Sequence, residues 1–171
     1  MNLDYIIRHG VEQDIQQIMD LYRSTAAAGG GLARSPEEIT LEYIGGFVRH
    51  SLAHGMIIVA VLNGIIVGEV HCYTPGIEIF AHVLGNLTIA IHPHYHHQGI
   101  GRKIFSTLLH EVETLHPDIL RVELVARESN TKAIALYESL GFVIEGRFRK
   151  RIPIPGGGFE SDLSLAWLRK E

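Results

Sequence analysis

A strand, turn and helix segment in the middle of the chain carries residue types that bind phosphate groups. It runs from Leu87 to Arg102 and reads LTIAIHPHYHHQGIGR, so an apolar run meets a polar turn and Gly-x-Gly then opens a helix. The N–H groups of a first helical turn lack partners within the helix. With the helix dipole they attract anions, and glycines let phosphate oxygens approach closely. The segment predicts a diphosphate site, although a tight turn without a ligand has the same composition.

Two other phosphate-binding patterns do not fit this segment. A Walker loop requires Gly-Lys-Ser/Thr after four spacer residues, and the chain has no such run. A dinucleotide-binding fingerprint requires a third glycine and an acidic residue downstream. The third glycine is missing, and three predicted strands precede the turn.

A second segment follows a later strand and reads NTKAIALYESLGF from Asn130 to Phe142. Together the two segments resemble the GNAT N-acetyltransferase superfamily, whose acetyl-CoA motif is Q/R-x-x-G-x-G/A and whose later motif is N-x-x-A-x-x-L-Y-x-x-x-G-F. The resemblance extends roughly from Met56 to Leu168. The segment 141–146, with Gly158, Phe159 and Asp162 further on, is similar to the branch that includes amino-acid, phosphinothricin-type and ribosomal-protein N-terminal acetyltransferases. The resemblance implies the GNAT fold, acetyl-CoA as the acetyl donor, and no metal.

The resemblance also implies roles for individual residues. In the family, the strand before the turn diverges from its parallel neighbour, and the pantetheine arm bonds to main-chain groups there. The pyrophosphate lies on the amides of the following turn, an asparagine contacts the cofactor, and a tyrosine protonates the leaving thiolate. The residues matching the family's cofactor-binding positions are Ile89, Ala90, Ile91, His96, His97, Gln98, Gly99, Ile100, Gly101, Arg102, Asn130, Ala133 and Tyr137.

The chemistry of acyl transfer supports the role of Tyr137. Transfer from a thioester to an amine needs a neutral amine, a polarised carbonyl and a protonated leaving group. A main-chain N–H can hold the developing oxyanion. A tyrosine keeps its proton at pH 7 and can serve as the acid. The alternative for Tyr137 is a core residue on the apolar helix face that contains Ile134 and Leu140. Because transfer is direct, Cys72 is expected to be a strand residue and not a nucleophile.

The general base has several candidates. Some family members use a glutamate five residues before the motif asparagine, where this chain has Val125. Glu123 lies two residues earlier on the same strand face, and we predict it as the second catalytic residue. Glu69 and His71 on the third strand are further candidates, and a water chain is another. The structural alternative for Glu123 is an ion pair with a basic neighbour.

The histidines near the turn depart from the family pattern. His96 stands where the motif has Gln or Arg, and imidazole donates one hydrogen bond when neutral and two when protonated. We therefore expect phosphate binding to persist with greater sensitivity to pH. His92, His94, His96 and His97 could also form a metal site, but no carboxylate or cysteine lies nearby to complete it. An exposed surface is the expected location of His92 and His94.

The acceptor is the least determined part of the prediction. In the superfamily it lies between the first two helices and the loop that joins the last strands, here residues 26–36 and 152–159. Asp162 or Glu160 could attract an ammonium group, and the basic run 147–151 an acidic one, although exposed strand residues have the same composition. We predict a small primary amine such as an amino acid. A protein N-terminus or lysine is the alternative, and an acyl-CoA-binding sensor without turnover is the rival of another class.

Composition narrows the classes of partner. The 171 residues carry a net charge of −4 with a sequence pI near 6.2, which disfavours nucleic acid binding. The longest apolar run, near Met56 to Leu62, is far shorter than the ~20 residues that span a bilayer. One cysteine allows no intramolecular disulfide. The first residues, with Asp4 and Arg8, do not resemble a signal peptide. We expect one cytoplasmic domain over residues 1–171, with homodimerisation a family habit.

These residues must be positioned by an α/β fold with one mixed sheet, in the order β-α-α-β-β-β-α-β-α-β-β. Alternating strands and helices in the second half favour this class, and the unit 86–126 has the length of a parallel βαβ crossover. Ser35 with Pro36 predicts the start of the second helix, which continues to about Ser51. The predicted strands are 5–8, 56–62, 65–73, 86–91, 121–126, 142–151 and 159–168, and the predicted helices are 12–26, 35–51, 99–115 and 129–140.

Overall fold

A computed structural model describes residues 4–29 and 31–170. Gly30, within the predicted loop 26–36, and the chain ends at 1–3 and 171 lie outside the described residues. The order of helices and strands follows the prediction. The elements are β1 (Ile6–His9), α1 (Ile15–Ala27), α2 (Leu41–His54), β2 (Gly55–Leu62), β3 (Ile65–Tyr73), β4 (Val83–Ile91), α3 (Ile100–Leu115), β5 (Arg121–Arg127), α4 (Thr131–Ser139), β6 (Val143–Pro153) and β7 (Phe159–Leu168).

The strands form one seven-stranded sheet in the order β1-β2-β3-β4-β5-β7-β6. Every neighbouring pair is antiparallel except β4 and β5, which are parallel. Parallel neighbours need a crossover connection, and α3 provides it. The mixed α/β class predicted from the sequence is therefore confirmed.

Helices cover both faces of the sheet, and each face has its own core. Phe105 and Leu108 of α3 belong to one core, which also includes Tyr137 of α4. Ile18 of α1 and Ile44 of α2 belong to the other core. Burial on both faces explains why β2 is a continuous apolar run, whereas β3 also contains the buried polar residues Glu69 and His71. No helix within residues 4–29 and 31–170 is long and apolar enough to cross a bilayer.

The second helix starts later than predicted. Ser35 precedes only a short 3-10 turn at Pro36–Glu38, where its N–H donates to the Glu38 carboxylate at 2.8 Å. Ile39 then adopts an extended conformation and is fully buried. The hydroxyl of Thr40 accepts a hydrogen bond from the Tyr43 N–H at 3.1 Å and caps α2. The predicted helix from Ser35 is therefore wrong at its start, because burial of Ile39 interrupts the helical path.

The central strands β4 and β5 separate soon after they meet. Their pairing is limited to Val83 with Arg121 and Leu84 with Val122. Asn86 has a left-handed φ of 51°, and the β3–β4 register shifts in the same region. The sheet therefore has an opening on its parallel side, beyond these two pairs.

Candidate active site

Two cavities meet at this opening. The first has a volume of about 470 Å³ and the second about 550 Å³. Four residues line both cavities, and we call this set the junction: Leu87 and Thr88 of β4, and Leu124 and Val125 of β5. A molecule in the first cavity can therefore reach one in the second through the sheet.

The first cavity includes the N-terminus of α3. Gly99 precedes the helix with a φ of 78°, a conformation that glycine adopts without steric cost. The first helical backbone bond there runs from the N–H of Lys103 to the carbonyl of Gly99. No described side chain caps the helix, so the N–H groups of its first turn have no side-chain partner. Unpaired N–H groups and the helix dipole together form an anion site.

His96 uses one ring nitrogen to hold the turn. Its Nε2 lies 2.9 Å from the carbonyl oxygen of Ile91, and because a carbonyl only accepts, Nε2 carries the proton in that bond. The neutral ring then has no second N–H for a phosphate, so the turn's amides are the available donors. Nearby, burial lowers the pKa of His92, and His94 and His96 lower it further. Within the described part of the chain, no group of three His, Cys, Asp or Glu residues is placed to bind a metal.

Most of the residues that the sequence assigns to the cofactor line the first cavity. Two do not. The Ala90 side chain is buried in the core beneath α1 and α2, on the face opposite Ile89 and Ile91, and exposed Gln98 donates to the His94 carbonyl at 3.4 Å. The remaining predicted residues that line the cavity are Ile89, Ile91, His96, His97, Gly99, Ile100, Gly101, Arg102, Asn130, Ala133 and Tyr137. The sequence analysis missed Thr25, Tyr95, Lys132 and Leu136, and it assigned to the acceptor side the segment 26–36, of which Gly31, Leu32 and Ala33 line this cavity.

The motif asparagine and tyrosine lie on α4. The Asn130 side-chain oxygen accepts from the Ala133 N–H at 3.2 Å and caps the helix, which leaves the amide NH₂ to donate elsewhere. Tyr137 is buried between Phe105 and Phe142, at ring-centre distances of 5.6 and 6.1 Å. Burial raises the pKa of Tyr137 to about 12. Its phenol is therefore protonated at neutral pH and belongs to the wall of the first cavity.

The second cavity has an aromatic lining with charged groups. The Arg34 guanidinium lies 4.0 Å from the centre of the Tyr43 ring, and no carboxylate within the described residues forms an ion pair with it. The acceptor wall predicted at 26–36 thus contributes Arg34. The wall predicted at 152–159 does not, since the lining comes from Phe148 and Ser164, nearer the middle of the β6–β7 hairpin.

Glu123 lines the second cavity but is directed away from the junction. Its carboxylate lies 2.7 Å from Nε of Arg121, which also contacts Glu145 at 2.6 Å. Its other oxygen lies 3.4 Å from the position that a Cβ on Gly85 would occupy. Val125 is half-exposed at the junction. The structure therefore shows the ion pair that the sequence left as the alternative for Glu123.

A buried polar cluster lies beside the second cavity, and we call it the Tyr22–Glu69–His71 cluster. The Tyr22 hydroxyl donates to Glu69 Oε2 at 2.6 Å, and His71 Nδ1 lies 2.9 Å from Glu69 Oε1. Burial is the main cause that raises the Tyr22 pKa, and the charge of Glu69 adds to it. The adjacent Cys72 is buried with a pKa of about 12, mainly because of burial, and is therefore a protonated strand residue.

Several charged groups of the last hairpin have partners within the hairpin or at residues 128–129. Glu160 accepts from the Ser129 N–H at 2.8 Å, and Asp162 lies 3.5 Å from Arg151. Arg147 pairs with Glu128 at 2.6 Å. None of the residues 147, 149–151, 160 and 162 lines either cavity. The structure therefore does not bring these acids or this basic run to the site.

A family comparison decides what this arrangement is. Residues 53–144, more than half of the chain, match the model of the acetyltransferase (GNAT) domain. This chain belongs to the GNAT acetyltransferase family. The matched range contains the junction, the turn before α3 and the whole of α4, so the family resemblance in the sequence is confirmed.

Curated relatives of this GNAT chain match only in part. The ribosomal protein bS18 alanine N-acetyltransferase of Salmonella typhimurium is 44% identical over 78 residues, which is 46% of this chain and 51% of the relative. The enzyme of the same name from Escherichia coli K12 is 48% identical over 54 residues, 32% of this chain and 35% of the relative. The match therefore spans between a third and a half of these relatives.

Solved structures share the fold across nearly the whole chain. A GNAT-family acetyltransferase from Streptococcus pneumoniae has a TM-score of 0.87 at 21% identity, covering 97% of this chain and 100% of its own. A Salmonella typhimurium protein solved with its cofactor acetyl-CoA has a TM-score of 0.84 at 17% identity, covering 98% and 95%. The ribosomal-protein-S18-alanine N-acetyltransferase of Escherichia coli has a TM-score of 0.77 at 22% identity, covering 98% and 95%. Because these sequence identities are low, the similarity to the solved structures shows a shared fold and does not show a shared substrate.

Proposed function

We propose that this GNAT chain is a cytoplasmic N-acetyltransferase that moves an acetyl group from acetyl-CoA directly to a small, amino-acid-like primary amine. The observation that supports this most strongly is the meeting of two cavities at the junction. One cavity ends in unpaired helix N–H groups, as a diphosphate requires. The other has an aromatic lining with charged groups, as an organic amine requires.

The first cavity has the features that acetyl-CoA needs. The uncapped start of α3 and the left-handed Gly99 offer closely spaced N–H donors to a diphosphate. Beyond Leu84, β4 lacks a strand partner on its β5 side, so its main-chain groups are available to the pantetheine amides. When bound there, acetyl-CoA supplies the activated thioester, and its acyl carbon belongs at the junction.

Tyr137 and the main chain of β4 would perform the proton and charge steps. As the acceptor nitrogen bonds to the acyl carbon, negative charge develops on the carbonyl oxygen, and an N–H of β4 can stabilise it. The C–S bond then breaks, and Tyr137 gives its proton to the departing sulfur. Glu123, an anion paired with Arg121 on the wall of the second cavity, attracts the acceptor ammonium from solvent.

The second cavity favours a small amine that also carries a carboxylate. Arg34 provides a guanidinium that forms no ion pair with the described residues, and arginine binds carboxylates with two parallel hydrogen bonds. Its face rests on Tyr43, which fixes its position at the cavity wall. Glu123 offers the opposite charge in the same cavity. An amino acid has both charges and presents its amine without any further chain.

A protein N-terminus is the second candidate acceptor. The curated relatives carry the name of ribosomal-protein alanine N-acetyltransferases, and their matched segments support an acceptor of that kind. Because those segments cover about half or less of each relative, a shared acceptor is a hypothesis. The two candidates differ in what lies beyond the amine, so they can be separated by acceptor length.

Ligand-dependent melting and thiol release test this proposal together. A ligand at 100 times its Kd stabilises the folded state by about 2.7 kcal/mol, which raises the melting temperature by roughly 5–10 °C at this size. We expect such a rise with CoA and with acetyl-CoA. We also expect thiol release with one or more of the twenty amino acids, in preference to an alanine-starting hexapeptide.

Each other outcome has a definite meaning. Preference for the hexapeptide would assign the protein N-terminus as acceptor. A melting shift without thiol release from any amine would favour an acyl-CoA-binding sensor. A folded protein that shows no shift with either ligand would contradict the proposal.

A further inference from the structure

The Tyr22–Glu69–His71 cluster contains a buried carboxyl group, that of Glu69, and no lysine or arginine among the described residues pairs with it. Glu69 is 0% exposed, and its partners within the described residues are the Tyr22 hydroxyl and His71 Nδ1. A buried carboxylate needs compensation for lost hydration, and here each oxygen has one donor. Burying a carboxylate costs stability, and the catalytic steps above do not use Glu69, which points to a separate role for the cluster.

The hydrogen bonds fix the tautomer of His71. An ionised carboxylate only accepts, so Nδ1 carries the proton that it donates to Glu69, and the neutral ring has its lone pair on Nε2. Phe47 stacks on the ring at a centre distance of 3.9 Å and an angle of 9°, which fixes the ring plane. Nε2 has no hydrogen-bond partner among the described residues, and it is not one of the unpartnered atoms sealed from solvent. The free lone pair therefore belongs to the side of the ring that lines the second cavity.

His71 lies next to the junction, whereas Glu123 lies behind it. The Cα of His71 pairs with that of Thr88, a junction residue, and side chains directly opposite each other have Cβ atoms about 4.5–5.5 Å apart. Glu123 lies beside Gly85, three residues back along β4, a displacement of about 10 Å. Its carboxylate is also held by Arg121. Of the two bases, His71 is the one beside the place where the acyl carbon belongs.

We propose that His71 is the general base of the transfer and that Glu69 and Tyr22 are positioning residues that hold its tautomer. The inference rests on the proposed function. The bound ammonium first releases one proton to solvent, which gives the neutral amine. As its nitrogen bonds to the acyl carbon, a second N–H proton moves to Nε2 of His71. The C–S bond breaks, and Tyr137 gives its proton to sulfur. The imidazolium then returns its proton to solvent, and the tyrosinate regains one, so no oxidant or further reactant is needed.

Several titratable or aromatic groups contact the His71 ring, contact its aromatic neighbours or line the same cavity. They come from its own strand and from the elements packed against it. On these elements they are Glu69 and Tyr73 of β3, Tyr22 of α1, and Tyr43, Phe47 and His50 of α2, with Arg34 and Glu123 at the wall of the same cavity. Among them, Glu69 is the anion in direct contact with the ring. Its carboxylate also accepts the Nδ1–H of His71, so Glu69→Gln changes both the charge beside the ring and the bond that fixes its tautomer.

The first test compares His71→Gln with Glu123→Gln, using the amine that gives the fastest thiol release. The wild-type rate should fall as pH falls, because only neutral imidazole accepts a proton. We expect His71→Gln to lower kcat by ~100-fold or more and to abolish this acidic limb of the profile. The melting shift with acetyl-CoA should persist. Glu123→Gln should raise the KM for the amine and retain the limb.

A second test separates positioning from folding. Glu69→Gln should move the acidic limb, which a merely structural defect would not do. Solution NMR of the wild type should show the Nδ1–H tautomer of His71 above the limb. The opposite tautomer, or an unchanged kcat and limb in folded His71→Gln, would overturn the inference while leaving the transferase intact. A wild type that binds acetyl-CoA but releases no thiol with any amine would instead overturn both proposals.

Discussion

At the scale of single residues, Tyr137 has the environment of an acid that keeps its proton. Tyr137→Phe keeps the ring contacts with Phe105 and Phe142 and removes the proton donor. We expect thiol release to fall by ~100-fold or more with little change in the urea midpoint at pH 7. A variant that releases thiol at the wild-type rate would remove Tyr137 from the mechanism.

The raised pKa of Tyr137 also has a consequence for stability. Burial raises it to about 12 in the folded protein, against about 10 in the unfolded chain. The stability from burying the neutral phenol is therefore present below pH 10 and is lost as the pH rises from 10 to 12. Tyr137→Phe should lack this loss, so its unfolding midpoint should approach or exceed that of the wild type in alkali.

Arg34 determines the kind of acceptor if its guanidinium binds a carboxylate. Arg34→Gln should raise the KM for amino acids by ~10-fold or more, since hydrogen bonds between charged groups contribute about 1.5–3 kcal/mol. The KM for the matching amines without a carboxylate should not change. Arg49→Gln is the matched control, because Arg49 pairs with exposed Glu12 and lines neither cavity. An equal effect on both kinds of amine would contradict carboxylate binding.

A functional residue can be predicted from the sequence when it belongs to a contiguous motif, and not when it is brought to the site from a distant element. The turn before α3 and Tyr137 belong to contiguous motifs that the sequence alone reveals, and both line the first cavity. The two-residue spacing of Glu69 and His71 in a strand predicts a shared face. Tyr22 comes from another element, and no local spacing indicates that it meets Glu69. Arg34 lies in a loop whose path the sequence pattern does not determine.

At the scale of elements, Asp14 joins β1 to the start of α1, the helix that supplies Tyr22. Its carboxylate accepts from Arg8 at 2.7 and 2.8 Å and from the Val11 N–H at 2.9 Å. These bonds, first that with Arg8, hold its pKa below 3.8. Hydrogen bonds to charged groups contribute about 1.5–3 kcal/mol, and the partial exposure of Arg8 reduces this value. Asp14→Asn should therefore lower the free energy of unfolding at pH 7 by about 1–2 kcal/mol.

The pH dependence of this effect identifies the ion pair as its cause. A lowered folded pKa gives stability above pH 3.8 that is lost as the pH falls further through the folded value. The difference between wild type and Asp14→Asn should therefore shrink between pH 7 and pH 3 in urea unfolding. Asp20→Asn, on the exposed side of the same helix, should show almost no difference at either pH. A constant difference for Asp14→Asn would point to packing instead.

The elements also show which boundaries a sequence pattern can locate. The start of α3 is marked by Gly99, whose left-handed conformation favours glycine, and the helix begins within one residue of the prediction. The start of α2 was misplaced because two capping signals, at Ser35 and Thr40, lie five residues apart. Burial of Ile39 decides between them, and burial depends on the whole fold.

At the scale of the whole molecule, the opening in the sheet joins groups from its two faces. Tyr137 belongs to the core beneath α3 and α4, whereas Glu69 and His71 lie on the face covered by α1 and α2. In the proposed mechanism, the acid for the thiolate and the base for the amine therefore approach the junction from opposite sides. The order of elements could be predicted from the sequence, but the width of this opening depends on Asn86 and on pairing that stops after Leu84.

Filling the junction tests whether transfer passes through the sheet. Val125 is 50% exposed and lines both cavities, so Val125→Phe adds volume there without overfilling a core. We expect thiol release to fall by at least ~10-fold, because the larger ring occupies the space of the acyl group. The melting shift with CoA should persist, since CoA lacks that group, while the shift with acetyl-CoA should shrink. Val143→Phe, 65% exposed on β6 and outside both cavities, is the control. Undiminished turnover in Val125→Phe would mean that the acyl group and the amine meet elsewhere.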